Sequence, residues 1–122
     1  MNLGQLGVDR RSLPKGACLV IFGRAGCEAC EQARLSLLSQ SKVQVTAFEL
    51  VEKGQAGTWG VTAVPNNIDL FPHTPTFAVL GSDQRIKATY DGWSQDPVWI
   101  AAFLQGVSID LSTAAKGGVA MK

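Results

Sequence analysis

The sequence carries little charge of either sign in excess. Its 11 Lys and Arg balance 10 Asp and Glu over 122 residues, a formal net charge of +1. No bulk field therefore points to nucleic acid or to an anionic membrane surface as a partner. No apolar stretch approaches the roughly 20 residues that a spanning helix needs. The segment Met1–Arg11 lacks a basic start followed by an apolar block, so no secretory signal is expected and the setting read from the sequence is cytoplasmic. Histidine occurs once, at His73, and cysteine three times. A zinc centre takes four ligands as a rule and would have to recruit Cys18, Cys27, Cys30 and His73 together, with Cys18 inside an apolar run, so no metal site is expected. Three cysteines are too few for a disulfide scaffold in a chain of this size. Nothing matches a nucleotide fingerprint, and no bound cofactor is expected. With no internal repeat and no linker, the sequence reads as a single domain over 1–122, a monomer, with its core at about 17–105 and an irregular tail over 107–122.

What is present is a pair of cysteines in a telling context. Cys27-Glu28-Ala29-Cys30 follows the apolar run Ala17–Phe22 and the break Gly23-Arg24-Ala25-Gly26, and a helical pattern comes next. A strand, a tight turn and two cysteines one helical turn apart suit reversible dithiol–disulfide chemistry. At a helix start, unpaired backbone N–H groups and the helix dipole favour a thiolate over a thiol at the first cysteine.

The rest of the chain supplies a simple order of elements. Residues 17–22 read as a strand buried on both faces. From Cys27 to about Gln40, Ala29, Ala33 and Leu37 recur on one helical face. Val43–Leu50 is rich in β-formers, which makes a parallel βαβ unit with a right-handed crossover. Gly54, Gly57, Gly60, Pro65 and Pro72 break the segment 51–74, leaving room for a short helix around Gln55–Trp59 anchored by Trp59. Thr76–Leu80 and Arg85–Tyr90 read as a hairpin around Gly81-Ser82-Asp83-Gln84. Asp96 and Pro97 suit the N-cap and first position of a last helix, packed through Trp93 and Trp99, with Gly106 as its stop. Val107–Leu111 could instead add an edge strand.

This order resembles the thioredoxin-like fold over roughly residues 17–105. Val20-Ile21-Phe22-Gly23-Arg24-Ala25-Gly26-Cys27-Glu28-Ala29-Cys30 is similar to the active-site segment of small glutaredoxins, and Thr74-Pro75-Thr76 to the Thr-Pro-Thr of thioredoxins. The resemblance implies an α/β domain with a mixed four-stranded central sheet and helices on both faces. It implies a thiol–disulfide oxidoreductase that reduces or exchanges protein or small-molecule disulfides, with a reductase or glutathione as electron donor. It implies a cis bond before Pro75, which would turn the Thr74 backbone toward an extended substrate. Pro65 competes for that role, because Trp59–Pro65 also resembles the run-up to such a proline. The chain departs from thioredoxins at Gly26, where they carry Trp, and at Ile21, where they carry a buried Asp. Asp91-Gly92 with Ser94 and Asp96 only loosely matches the glutathione site of glutaredoxins.

The roles expected are then specific. Cys27 attacks, its pKa lowered by the helix start and by Arg24, while Glu28 opposes the shift and leaves a reducing pair. Cys30 resolves the mixed disulfide. Arg24, Gly26, His73, Thr74, Pro75 and Gly92 are the expected substrate-binding residues; Gly92 would let a partner backbone approach. Cys18 is a small core residue. Two other readings of the same fold stay open: a peptide-binding module with incidental cysteines, and a glutaredoxin-type carrier of glutathione or an iron–sulfur cluster.

Overall fold

At the centre lies β1 (Cys18–Gly23), buried at every position. In the computed structural model, residue 8 and residues 10–13, 15–39, 43–67, 69 and 71–115 are described. Most of the expected lead-in and the Gly117-Gly118 end of the expected tail lie outside the described residues.

A turn leads from β1 into α1 (Glu28–Leu38), and β2 (Val45–Val51) returns parallel to β1, with Leu19 opposite Val45 and Gly23 opposite Glu49. β4 (Thr76–Leu80) pairs antiparallel on the other side of β1, and β5 (Ile86–Asp91) closes the hairpin, with a bulge at Val79/Leu80. The expected fold class is present with one more strand than expected. β3 (Ala63–Pro65) pairs parallel with β2, so the mixed sheet has the order β3-β2-β1-β4-β5. Pro65 fits there because an edge strand tolerates a residue without an N–H.

The alternation of β1 divides the core. Leu19 and Ile21 join Ala33 and Leu37 of α1 and Phe103, Val107 and Ala114 of α2 (Pro97–Ala115). Cys18, Val20 and Phe22 join Phe48, Leu50, Val64 and Phe71 on the opposite side, with Val8 and Leu13. Both described α-helices therefore pack on one face, which corrects the expectation of helices on both. The other face is covered by the segment around the 3₁₀ turn Arg10–Ser12 and by Phe71, whose ring lies 5.0 Å from that of Phe22.

Two further expectations are corrected. Residues 55–59 form no helix; the loop is held by a side chain of β2, described below. The last helix starts as expected, with the Val98 N–H donating to Asp96 Oδ1 at 3.0 Å, but it does not stop at Gly106 and leaves no irregular segment over 107–115. Phe103, Val107, Leu111 and Ala114 continue one apolar stripe onto the sheet, and the Tyr90 hydroxyl donates to Asp110. Packing of that stripe outweighs the roughly 1 kcal/mol that an interior glycine costs a helix. Trp93 and Trp99 pack edge to face at 5.3 Å, and Trp99 stacks on Phe103 at 5.2 Å, which ties the helix start to Phe77 of β4.

Cys18 is 1% exposed, and burial pushes its thiol up to about 11. The folded state thus holds this proton more tightly than the unfolded chain does. Its contribution to stability is complete below the ordinary cysteine value of about 8.5 and is lost as pH rises toward 11, at no more than about 1.4 kcal/mol per pH unit. Tyr90, raised to about 12 by burial and by its bond to Asp110, titrates in an overlapping range. Urea unfolding of the wild type and of Cys18→Ala at pH 8.5 and 10.5 separates the two. The wild type is expected to lose more stability than the variant across that interval.

Candidate active site

The turn after β1 positions the first cysteine. The Cys27 N–H donates to the Arg24 carbonyl at 3.3 Å, and Gly26 takes a φ of +83° at the third position of the turn. Glycine meets that requirement without the steric penalty that other residues carry. Gly26 is thus needed for its backbone, and the space around it is open. Cys27 then caps α1: its Sγ accepts the Cys30 N–H at 3.2 Å. A sulfur used as a helix cap sits at the positive end of the helix dipole. Glu28 and Glu31 in the first turn place opposing negative charge nearby.

Cys27 and Cys30 are joined as a disulfide with Cα atoms 5.2 Å apart. The two sulfurs differ in access. Cys27 is half-buried, whereas Cys30 is 0% exposed. On the open side of Cys27 lies a cavity of about 640 Å³ lined by residues that include Arg24, Gly26, Cys27, Glu49, Thr58 and Thr74. Thr74 closes on the sulfur from the segment just before β4. Its hydroxyl donates to Cys27 Sγ at 3.7 Å, and its carbonyl oxygen stands 3.9 Å from the same atom. The Thr74–Pro75 peptide bond is cis, and the Pro75 ring is buried. The Pro75 carbonyl accepts the Gly92 N–H at 2.9 Å, with Gly92 at a φ of +81°.

Of the residues singled out from the sequence, Cys27, Cys30, Arg24, Gly26 and Thr74 come together here, with Pro75 directly behind Thr74. Gly92 joins through its hydrogen bond to Pro75. His73 is not among the residues that line the cavity: it is exposed, and its carbonyl accepts the Thr76 hydroxyl at 2.7 Å. Among the described residues, no group of three or more His, Cys, Asp or Glu side chains is placed to share a metal ion, and no helix is long and apolar enough to cross a membrane.

Sequence reasoning missed Glu49 and the true setting of Trp59. Glu49 is 2% exposed, the charged residue buried among those described. Its signal was a carboxylate at an inward position of a strand otherwise built of apolar and β-branched residues. Trp59 anchors no helix; its ring lies over Gly23, the residue on which Cys30 also packs, with the Arg34 guanidinium 4.7 Å from its ring centre.

No protein-family model matches this chain, nor does any curated protein. Solved structures do. The exposed lipoprotein thioredoxin of Streptococcus pneumoniae superposes with a TM-score of 0.54 at 13% identity, over 87% of this chain and 88% of that one. A thiol-disulfide isomerase from Corynebacterium glutamicum gives 0.50 at 16% identity, over 87% of each chain. The N-terminal domain of PilB from Neisseria gonorrhoeae gives 0.50 at 16% identity, over 84% of this chain and 85% of that one. At such identities the likeness speaks to architecture. The mixed sheet and the cysteine pair at the start of α1 agree with it: this chain has the thioredoxin-like fold.

Proposed function

We propose that this protein is a thiol–disulfide oxidoreductase that reduces or exchanges disulfides through a mixed disulfide on Cys27. The observation that carries the reading is the asymmetry of the pair. The half-exposed sulfur caps a helix and borders a cavity, while the sulfur bonded to it is buried one turn inside the helix.

In the dithiol state, Cys27 thiolate attacks one sulfur of a substrate disulfide. The substrate S–S bond breaks, and its electron pair leaves on the second substrate sulfur, which takes up a proton. Cys30 then loses its proton and attacks Cys27 Sγ. The bond between Cys27 and the substrate breaks, a second substrate thiol leaves, and the Cys27–Cys30 disulfide forms. Two electrons and two protons have passed to the substrate. A separate reductase or glutathione, in a reducing compartment such as the cytoplasm, returns the pair to the dithiol. Thr74 suits substrate docking, because its backbone borders Cys27 just before a strand, where an extended peptide can pair. Arg24 and Gly26 line the same cavity, and Arg24 adds positive charge beside the nucleophile.

Dithiothreitol-driven reduction of insulin tests this reading, together with the rate of Cys27 alkylation by iodoacetamide against pH. Turnover is expected, with a Cys27 titration midpoint below the ordinary cysteine value of about 8.5. Absence of turnover, with a midpoint at the ordinary value, would leave a peptide-binding module with incidental cysteines.

A further inference from the structure

The Glu49 carboxylate is engaged through both oxygens, and the groups it binds belong to one loop. Its Oε1 accepts the Thr58 N–H at 2.7 Å and the Trp59 N–H at 2.8 Å, and its Oε2 accepts the Thr58 hydroxyl at 3.2 Å. Gly57 lets the loop close down on the carboxylate, since a Cβ there would stand 2.6 Å from Oε1. Glu49 is also the cross-strand partner of Gly23. The missing side chain of Gly23 leaves a space, and two groups fill it. A Cβ on Gly23 would meet the Trp59 indole at 2.7 Å, Cys30 Cβ at 2.9 Å and Cys30 Sγ at 3.2 Å. The indole N–H is buried without a hydrogen-bond partner. The ring is thus kept in place by packing, by Arg34 and by a backbone that Glu49 holds.

We propose that Glu49 is a positioning residue for the cysteine pair: by fixing Thr58 and Trp59 it seats the indole against Cys30 and limits the resolving sulfur to one partner, Cys27 Sγ. This rests on the exchange reading given above. While Cys27 is bonded to substrate, the covered Cys30 can attack only that Cys27 sulfur, which expels the substrate thiol. With the cover loosened, Cys30 meets other disulfides and electrophiles directly. The same clamp sets one wall of the cavity, since Thr58 and Glu49 both line it.

The test uses protein carrying Cys18→Ala and Cys27→Ser, so that Cys30 is the single thiol; serine preserves a capping oxygen at position 27. Iodoacetamide is expected to alkylate Cys30 slowly. Adding Glu49→Ala should speed the reaction roughly tenfold or more, because a buried carboxylate holding two backbone amides is lost and the loop opens more often. Adding Glu49→Gln should restore protection, because the amide oxygen still accepts from both N–H groups. Trp59→Ala, which leaves the carboxylate and Thr58 in place, should match Glu49→Ala and serves alone should the latter not fold. In protein with all three cysteines, tryptophan emission should change between dithiol and disulfide, and Trp59→Phe and Glu49→Ala should each remove most of that change while Glu49→Gln retains it. Cys30 protection that survives Glu49→Ala and Trp59→Ala overturns the proposal. So does a Glu49→Gln variant as reactive as Glu49→Ala, which would mean that the charge matters and the hold does not. Insulin turnover by the wild type with unaltered Cys30 protection removes the positioning role alone. The expected alkylation pattern without turnover removes the exchange reading and leaves Glu49 as the keeper of a buried thiol.

Discussion

Cys27→Ser is expected to abolish disulfide turnover, a loss of roughly 10³-fold or more, the scale on which enzymes lose a covalent nucleophile. Cys30→Ser is expected to behave differently. The exposed sulfur can still attack, so a one-to-one adduct with substrate should accumulate, visible by mass and released by dithiothreitol. The asymmetry follows from burial: a substrate reaches Cys27 beside the cavity, whereas Cys30 has no exposed surface. Neither variant should unfold the domain. A serine at position 27 can accept the Cys30 N–H as the sulfur does, and serine is among the preferred N-caps. The position also separates chemistry from binding. If the groove alone mattered, Cys27→Ser would keep its partners and Cys30→Ser would trap nothing. Equal trapping by both single variants would mean that the two sulfurs are equally accessible, and the assigned roles would fail.

Much of this site was legible because its determinants are local. Arg24, Gly26, Cys27 and Cys30 fall within seven residues, and the turn, the cap and the disulfide are all made inside that window. The start of the last helix was legible for the same reason, since Asp96 and Pro97 act on their own first turn. The failures share the opposite property. Gly106 looks like a stop only when the stripe from Phe103 to Ala114 has no sheet to cover, and that sheet is built from residues far upstream. Residues 55–59 look helical until Glu49, nine residues before Thr58, takes the amides that a helix would have used. Placement of both α-helices on one face depends on which side each crossover takes. The sequence pattern of β1 is apolar at every position and leaves that choice open. Glu49 itself was readable as an anomaly, a carboxylate at an inward strand position. Its partners lie in a glycine-rich loop that gives no sign of what it closes on.

Gly23→Ala should reveal how tightly the buried sulfur is packed. Gly23 has no left-handed φ, so alanine suits its backbone and the whole effect is one of space. The added methyl would sit 2.7 Å from the Trp59 ring and 2.9 Å from Cys30 Cβ, both closer than carbon atoms tolerate, and Gly23 is itself buried between them. Overpacking of this kind costs about 1–3 kcal/mol. Two ways of relieving it exist, and they leave different marks. If the indole yields, Cys30 is uncovered, its alkylation accelerates as in Trp59→Ala, and the cysteines keep their spacing. If the start of α1 yields, Cys30 stays covered but moves relative to Cys27, so the disulfide becomes easier to reduce while alkylation stays slow. The indole rim is the softer neighbour, because Cys30 Cβ is fixed to the helix backbone. The expected result is therefore a lower urea midpoint together with a faster-reacting Cys30. A variant within about 0.5 kcal/mol of the wild type, the range of an ordinary surface change, would mean that the space over Gly23 is not filled by Trp59 and Cys30, and the cover assigned to Cys30 would go with it.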